Sequence, residues 1–189
     1  MSEFVNTVEV VGDEALTSSI VDRSITEIAD DTVTNVGQYA FNNCKKLASA
    51  NFPAVTIIEK RAFYYCSALT TADFPLVTSI GESAFYYCFA LTTADFPLVT
   101  SMSNYAFRNC SRLKALILRK TDAICTIGNT NVFVGTPIDS GTGYIYVPAN
   151  LKSQYEQASN WSNFAARFRD LESFTVDGTT TGALDETKI

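Results

Sequence analysis

Hydrophobic positions along this chain recur with a step of 22 residues. Residues 62–80, AFYYCSALTTADFPLVTSI, return at 84–102 with changes only at Ser67/Phe89 and Ile80/Met102. A long fixed step is the signature of a protein built from stacked repeats. Four ungapped copies share Ala-Phe pairs that begin at Ala40, Ala62, Ala84 and Ala106, cysteines Cys44, Cys66, Cys88 and Cys110, and leucines Leu47, Leu69, Leu91 and Leu113.

Each copy combines two hydrophobic spacings. The Ala, Phe, Cys and Leu positions of its first half fall on one face of a short helix. Its second half alternates as a strand does, as from Ala72 to Phe74, and Pro75 ends it because proline cannot donate a ladder hydrogen bond. We therefore predict an α/β repeat solenoid of four coils with short helical turns. Its parallel strands are expected at 47–52, 69–74, 91–96 and 113–118.

The open ends of such a stack need capping segments. We predict an N-terminal cap over 1–33, with an eroded repeat at 25–34 and a strand at 5–11. The repeat array spans 34–123. A C-terminal cap over 124–189 contains a last strand at 144–147, helices at 151–157 and 163–170, the second capped by Ser162, and a turn at 173–178.

Composition removes several classes of function. The chain of 189 residues is 47% hydrophobic and 18% charged, which predicts a packed core rather than disorder. Its net charge of -6 disfavours a nucleic-acid partner, because phosphate binding needs a basic surface. No apolar run is long enough to predict membrane insertion. The N-terminal residues lack the basic and apolar segments of a secretory signal.

The four cysteines in register allow two interpretations, a metal site or a core ladder. Metal sites use clustered cysteine pairs or histidines, and the sequence has neither a C-x-x-C motif nor any histidine. A cysteine on the same face as alanine and phenylalanine acts most simply as a small core side chain. We therefore expect a buried, reduced ladder, no metal and no cofactor. Cys125 lies outside the ladder and is expected to be the more exposed thiol.

An enzymatic role is not expected. Without histidine, the usual Ser/His and Cys/His nucleophile systems are missing. Asp73 and Asp95 occupy equivalent positions, which lie about 5 Å apart in a paired stack, a separation similar to that of a retaining glycosidase pair. Identical surroundings give the two carboxylates no reason to differ in pKa. Solvated positions, or at most a weak cation site, are therefore expected.

Three sets of side chains are candidate partner contacts. On the helical side, Tyr64, Tyr86 and Phe89 are expected to project, while the second tyrosine of each pair packs against the neighbouring coil. Exposed aromatic clusters mark contact surfaces more often than polar faces do. On the strand side, Asp73 and Asp95 are expected to project from the outward positions 49/71/93/115 and 51/73/95/117. This side is otherwise an ordinary solvated β-surface.

The third set is basic and lies in the fourth copy. It is either a solvated end of the array or a docking patch for an anionic partner. Its members are Arg108, Arg112, Lys114, Arg119 and Lys120, of which Arg112 and Lys114 are the candidate contacts.

The repeat unit, AF-x-x-C-x-x-L followed by F-P-x-V-T-x-I, resembles the BspA-like, or treponemal-type, leucine-rich repeat. Residues 113–118, LKALIL, also match the L-x-x-L-x-L core of leucine-rich repeats. The resemblance covers residues 33–148, and 141–168 is similar to the segment that often closes such arrays. One departure is the period, since family units are commonly slightly longer. The resemblance implies a right-handed solenoid and an association with bacterial surface adhesion and with prophage-encoded proteins.

Two non-catalytic roles follow, both in recognition or assembly. We predict a phage or prophage virion component, in the tail or the particle, because no signal peptide, wall anchor or membrane segment is visible in this chain. The alternative is a bacterial cell-surface adhesion module, which the family association supports. The expected partner is a protein or a surface glycan. A homo-oligomer or larger assembly is compatible with either role.

Overall fold

The structure is a computed structural model that describes residues 23–171. The strand expected at 5–11 and the turn expected at 173–178 lie outside the described residues. The architecture below is that of the described part of the chain.

Short parallel strands lie on two sides of each coil and form two rows. The first row contains β1 (Glu27–Ala29), β3 (Ser49–Asn51), β5 (Thr71–Asp73), β7 (Thr93–Asp95) and β9 (Ala115–Ile117). The second row contains β2 (Asn35–Val36), β4 (Ile57–Ile58), β6 (Ser79–Ile80), β8 (Ser101–Met102) and β10 (Thr126–Ile127). Paired strands keep the register of the repeat, with Ser49 opposite Thr71 and Ser79 opposite Ser101. The predicted α/β repeat solenoid with parallel strands is confirmed.

The first row is divided, which corrects one expectation. β1, β3 and β5 form one hydrogen-bonded sheet. β7 and β9 form another, together with β11 (Tyr144–Val147) and β12 (Phe168–Asp170) of the cap. We expect strands at equivalent positions of a single solenoid to share one sheet, and this expectation is wrong at the step from β5 to β7. The second row is continuous from β2 to β10, so the coils stay stacked on that side.

The Ala-Phe-x-x-Cys half of each coil is a series of turns and not the regular helix that its spacing predicted. In the first copy, the N–H groups of Ala40 and Cys44 donate to carbonyls three residues earlier. Those of Phe41 and Asn43 donate instead to carbonyls of the next coil. Because alternate amides leave the coil, the i to i−4 bonds of an α-helix cannot form. We call this part of the surface the turn side.

Two stacks of phenylalanine rings run through the core, and every ring in them is fully buried. Each inner ring packs on its own copies in the coils before and after it, so one coil has no complete core by itself. Phe41, Phe63, Phe85 and Phe107 form one stack with centroids 5.0, 5.3 and 5.3 Å apart. Phe52, Phe74 and Phe96 form the other, at 5.7 and 6.5 Å.

The four ladder cysteines are fully buried beside these stacks. The thiol of Cys66 donates to the carbonyl of Phe41 at 3.1 Å, and Cys88 and Cys110 repeat this bond at 3.3 and 3.0 Å. Burial raises the pKa of all three thiols. They therefore stay protonated and serve as core side chains with a weak donor.

Cys125 is also buried, so its expected exposure is wrong. It is only 1% exposed, because the C-terminal cap closes over it. Its backbone N–H donates to the hydroxyl of Tyr155 at 2.7 Å, and its carbonyl accepts from the indole N–H of Trp161 at 2.6 Å. Burial raises the pKa of the Cys125 thiol to about 12.

The cap contains α1 (Pro137–Ser140), α2 (Ala149–Gln157) and 3-10 helices at Thr130–Phe133 and Trp161–Arg167. The strand expected at 144–147 is present as β11, but β12 follows it as a further strand. The helix expected at 163–170 is wrong in type and bounds. Asn160, and not Ser162, precedes the 3-10 helix. The segment 168–170 is a strand because pairing with β11 satisfies its backbone groups.

We expect every cysteine of the native chain to resist a thiol reagent such as DTNB at pH 8. The thiolate is the reactive form, and all five cysteines are buried. Denaturant should release all five for reaction. Rapid labelling of any ladder cysteine in the native chain would contradict the packing described above.

Candidate functional site: two recognition surfaces

Five aromatic rings form a continuous cluster on the turn side. Tyr64 packs on Tyr86 at 5.3 Å between ring centroids, and Tyr65 packs on Tyr87 at 5.1 Å. Phe89 lies 5.9 Å from Tyr65 and 5.4 Å from Tyr87. All five rings are half-buried, so the expected division into one packed and one projecting tyrosine per pair is not found. We name these five rings the tyrosine surface.

Cationic side chains lie at the edges of the tyrosine surface and contact its rings. A cation over an aromatic face contributes about 0.5–1 kcal/mol at an exposed site and limits ring motion. The pairs are Arg61 over Tyr39 and Tyr64, Arg108 over Tyr86 and Tyr105, and Lys45 over Tyr65, with 4.9 to 5.9 Å between charge and ring centroid.

Numbering the four copies as coils 1 to 4 in chain order, the backbone of the turn side is left-handed at two equivalent positions in each coil, 39/61/83/105 and 43/65/87/109. The first position holds Tyr39, Arg61, Ser83 and Tyr105. At the second position, coils 1 and 4 place Asn43 and Asn109, with φ of 63° and 59°, and asparagine tolerates this conformation. Coils 2 and 3 place Tyr65 and Tyr87 there, with φ of 63° and 65°. A left-handed conformation costs about 1–2 kcal/mol in most residues with a β-carbon. Two rings of the surface therefore stand where the backbone favours asparagine.

Sequence reasoning named Tyr64 and Tyr86 as contacts and passed over Tyr65 and Tyr87. The signal that could have found them is the asparagine at the same position of the outer coils, since asparagine marks a left-handed residue. The stacking of Arg61 and Arg108 was also missed. Burial and the neighbouring Tyr87 side chain raise the pKa of the Tyr86 phenol, so its hydroxyl remains a donor at neutral pH.

The second surface lies at the division of the first strand row. The Arg119 guanidinium donates to the Asp95 carboxylate from Nε at 3.0 Å and from Nη2 at 2.6 Å. The Asp73 side chain is exposed, and its carboxylate makes no hydrogen bond or ion pair with any residue of 23–171. Since β5 and β7 are not paired, the close carboxylate spacing expected of a paired stack does not apply. Ala115 and Ile117, expected to face solvent, are buried under Tyr146 of β11.

The basic residues of the fourth copy do not form one patch. Arg108 lies on the turn side, Arg119 is paired with Asp95, and Lys120 is paired with Asp122. Arg112 is exposed. Lys114 is exposed and lines the cleft between β5 and β7.

The two surfaces present aromatic rings, cations, hydroxyls and carboxylates, which are groups suited to non-covalent recognition. Within residues 23–171, no three Cys, Asp or Glu side chains gather as metal ligands. In the same part of the chain, no helix is both long enough and apolar enough to cross a membrane.

A family model matches this architecture. The model is the BspA type leucine rich repeat region, found in six copies over residues 2–114 and 34–163. The chain belongs to the BspA-type leucine-rich repeat family. No curated protein matches it.

Two solved structures are similar to this BspA-type chain. A leucine-rich repeat protein from Bacteroides ovatus matches 79% of the chain at 24% identity with a TM-score of 0.51. The leucine-rich repeat protein TpLRR of T. pallidum matches 51% at 29% identity with a TM-score of 0.49. The chain covers 41% and 47% of those two proteins, less than half of either. The first likeness supports the leucine-rich repeat fold.

We expect Tyr65→Asn/Tyr87→Asn to lower the urea midpoint of unfolding less than a matched variant at positions without positive φ does. The double variant loses six ring contacts of about 0.5–1.5 kcal/mol each, and relief of about 1–2 kcal/mol of backbone energy per site offsets part of that loss. The matched control is Tyr64→Asn/Tyr86→Asn, which removes rings at positions without positive φ and should lower the midpoint. Equal destabilisation of both variants would contradict the backbone argument.

Proposed function

We propose that this chain is a non-catalytic recognition module that binds a protein partner through the tyrosine surface. The observation that carries the proposal is the continuous cluster of five half-buried rings on the turn side. Tyr65 and Tyr87 lie at a left-handed position that asparagine occupies in coils 1 and 4, so backbone preference does not account for these two rings.

The geometry of the tyrosine surface suits a protein interface. Tyrosine supplies a large contact area with few rotatable bonds, which is why it is enriched among interface anchors. Here the rings are already stacked and bordered by Arg61, Arg108 and Lys45. A partner therefore meets a surface that needs little further ordering, and acidic side chains of the partner suit the bordering cations.

Membership of the BspA-type family favours recognition at a bacterial cell surface as the setting. The family model and the solved structures add no support to the virion role that the sequence first suggested. A virion component remains the second candidate, because the same surface would serve assembly into a particle. Genes for tail or capsid proteins beside this gene, and the chain itself in purified particles, would favour the virion.

The test compares wild-type chain with Tyr65→Asn/Tyr87→Asn for binding to cultured host cells by flow cytometry. Loss of interface anchors worth more than about 1 kcal/mol each should weaken binding at least tenfold. The control variant, Tyr144→Asn, makes the same chemical change in β11 and should bind as wild type. Protease treatment of the cells should remove binding, and enzymatic deglycosylation should not.

Wild-type binding by the folded double variant would place the working surface elsewhere. Binding that survives protease treatment but not deglycosylation would replace the protein partner with a surface glycan. Absence of any cell binding, together with incorporation into purified particles, would favour the virion role.

A further inference from the structure

The ladder of the first strand row is open between β5 and β7. At the preceding step, the N–H groups of Thr70 and Thr71 donate to the carbonyl of Ala48 at 2.9 and 3.2 Å. At the following step, those of Lys114 and Ala115 donate to Thr92 at 2.9 and 3.3 Å. The corresponding groups of Thr92 and Thr93 have no backbone acceptor among residues 23–171. Two rows of unpaired backbone groups therefore face each other.

The opening is wider than the spacing of paired strands. Most Cα atoms of β5 lie more than 8 Å from those of β7, whereas paired strands lie about 4.8 Å apart. A strand that pairs with both edges needs them separated by about 9.6 Å, twice that spacing. The space forms a cleft of about 560 Å³ with walls that include Thr71, Asp73, Thr93 and Asp95.

The cleft is a wedge that opens only on this side. In the second row, Ser79 stays paired with Ser101. Ring centroids of Phe74 and Phe96, under the cleft, are 6.5 Å apart, against 5.7 Å for Phe52 and Phe74 one coil earlier. At the cleft wall Ala72 is half-exposed, while its equivalents in β3 and β7 are buried. The stack therefore separates at the strand row and holds at the back.

Charge disfavours closure of the row at this step. Equivalent positions along the row are Asn51, Asp73, Asp95 and Ile117, so pairing β5 with β7 would set two carboxylates directly opposite each other. Like charges in that position are destabilising. Arg119 neutralises Asp95, and Asp73 has no such partner among the described residues.

We propose that this cleft binds an extended peptide segment of a partner protein as an added strand, with a basic side chain beside Asp73. Both backbone edges are free to pair with such a strand, a mode in which main-chain hydrogen bonds supply the affinity. Next to Ala72, on the side that faces the core, the cleft has room for a small side chain of the peptide. A lysine or arginine of the peptide would screen the carboxylates of Asp73 and Asp95. The exposed Leu76 and Leu98, 44% and 42% accessible, follow the cleft and widen the contact.

A second copy of this chain is a poorer occupant than a basic peptide. The chain carries a net charge of -6, so two copies repel each other. The first strand of the row among residues 23–171, β1, carries Glu27 and would add a further carboxylate to the cleft. This site is also separate from the tyrosine surface, so its test does not depend on the proposed function.

Hydrogen exchange followed by NMR tests the opening itself. In the free chain, amides of Thr92, Thr93 and Phe74 should exchange at least tenfold faster than their equivalents Thr70, Thr71 and Phe96, which are hydrogen-bonded. Slow exchange at Thr92, Thr93 and Phe74 in the monomer would mean that the cleft is closed and would overturn the proposal.

The probe is a capped pentapeptide, Thr-Thr-Ala-Lys-Thr, which copies residues 92–95 with lysine at the aspartate position and adds a C-terminal threonine. It should slow exchange at Thr93 and Phe74. A peptide with aspartate in place of lysine should bind about fivefold more weakly, the scale of a cross-strand charge pair. Tyr65→Asn/Tyr87→Asn should bind the probe as wild type does, because the tyrosine surface is a different site.

Two variants of the chain locate the contact. Successive residues of a strand direct their backbone groups to opposite edges. Thr71 and Asp73 bond to the preceding coil, so the N–H of Ala72 faces the cleft, and Ala72→Pro removes it. Proline is tolerated at such an edge, so the variant should fold and lose the probe. Asp73→Asn should remove the preference for lysine, whereas Glu156→Gln, the same charge change in α2, should keep it.

Each contrary outcome points to another occupant or to none. Equal binding of both peptides, or unchanged binding by folded Ala72→Pro, would overturn the proposal. Protection that grows with protein concentration and a doubled mass in solution would assign the cleft to self-association. Probe binding that appears only after removal of residues 1–22 would assign it to the chain itself.

Discussion

Backbone hydrogen bonds that cross from one coil to the next are the constraint on which this structure depends. On the turn side, alternate amides such as those of Phe41 and Asn43 donate out of their own coil. Buried backbone groups must be paired, so a coil without a neighbour leaves a row of donors and acceptors unsatisfied. The stacked phenylalanines follow the same rule, because each needs a copy above and below. Repetition is therefore a condition of folding here and not only a route to greater length.

The crossing bonds also fix where the chain can carry unusual residues. Alternation of amide direction places residues such as Asn43 and Tyr65 in the left-handed region, which asparagine tolerates and tyrosine does not favour. A side chain at that position stands at the surface, at the same height in every coil. The position is thus both a folding constraint and a ready place for a recognition residue. The two middle coils have tyrosine at this position, and the two outer coils have asparagine, which the backbone favours.

The repeat, its parallel strands and its buried cysteines were predictable because each is a property of one copy multiplied by stacking. The departures are relations between copies. Cys125 looked exposed because the sequence does not show that Tyr155 and Trp161 close over it. The turns looked helical because apolar spacing does not reveal the direction of amides. The break between β5 and β7 could not be found from either strand alone, since both have the sequence Thr-Ala-Asp and only their juxtaposition differs.

That juxtaposition links the two surfaces. Residues 62–80 and 84–102 are nearly the same sequence, so coils 2 and 3 have nearly the same side chains on both sides of the solenoid. On the turn side, the copy doubles a tyrosine pair, and rings attract, so the result is one continuous surface. On the strand side, the copy doubles an aspartate, and repulsion between carboxylates disfavours pairing of β5 with β7. One repetition thus accompanies a continuous aromatic face on one side of the solenoid and a cleft on the other.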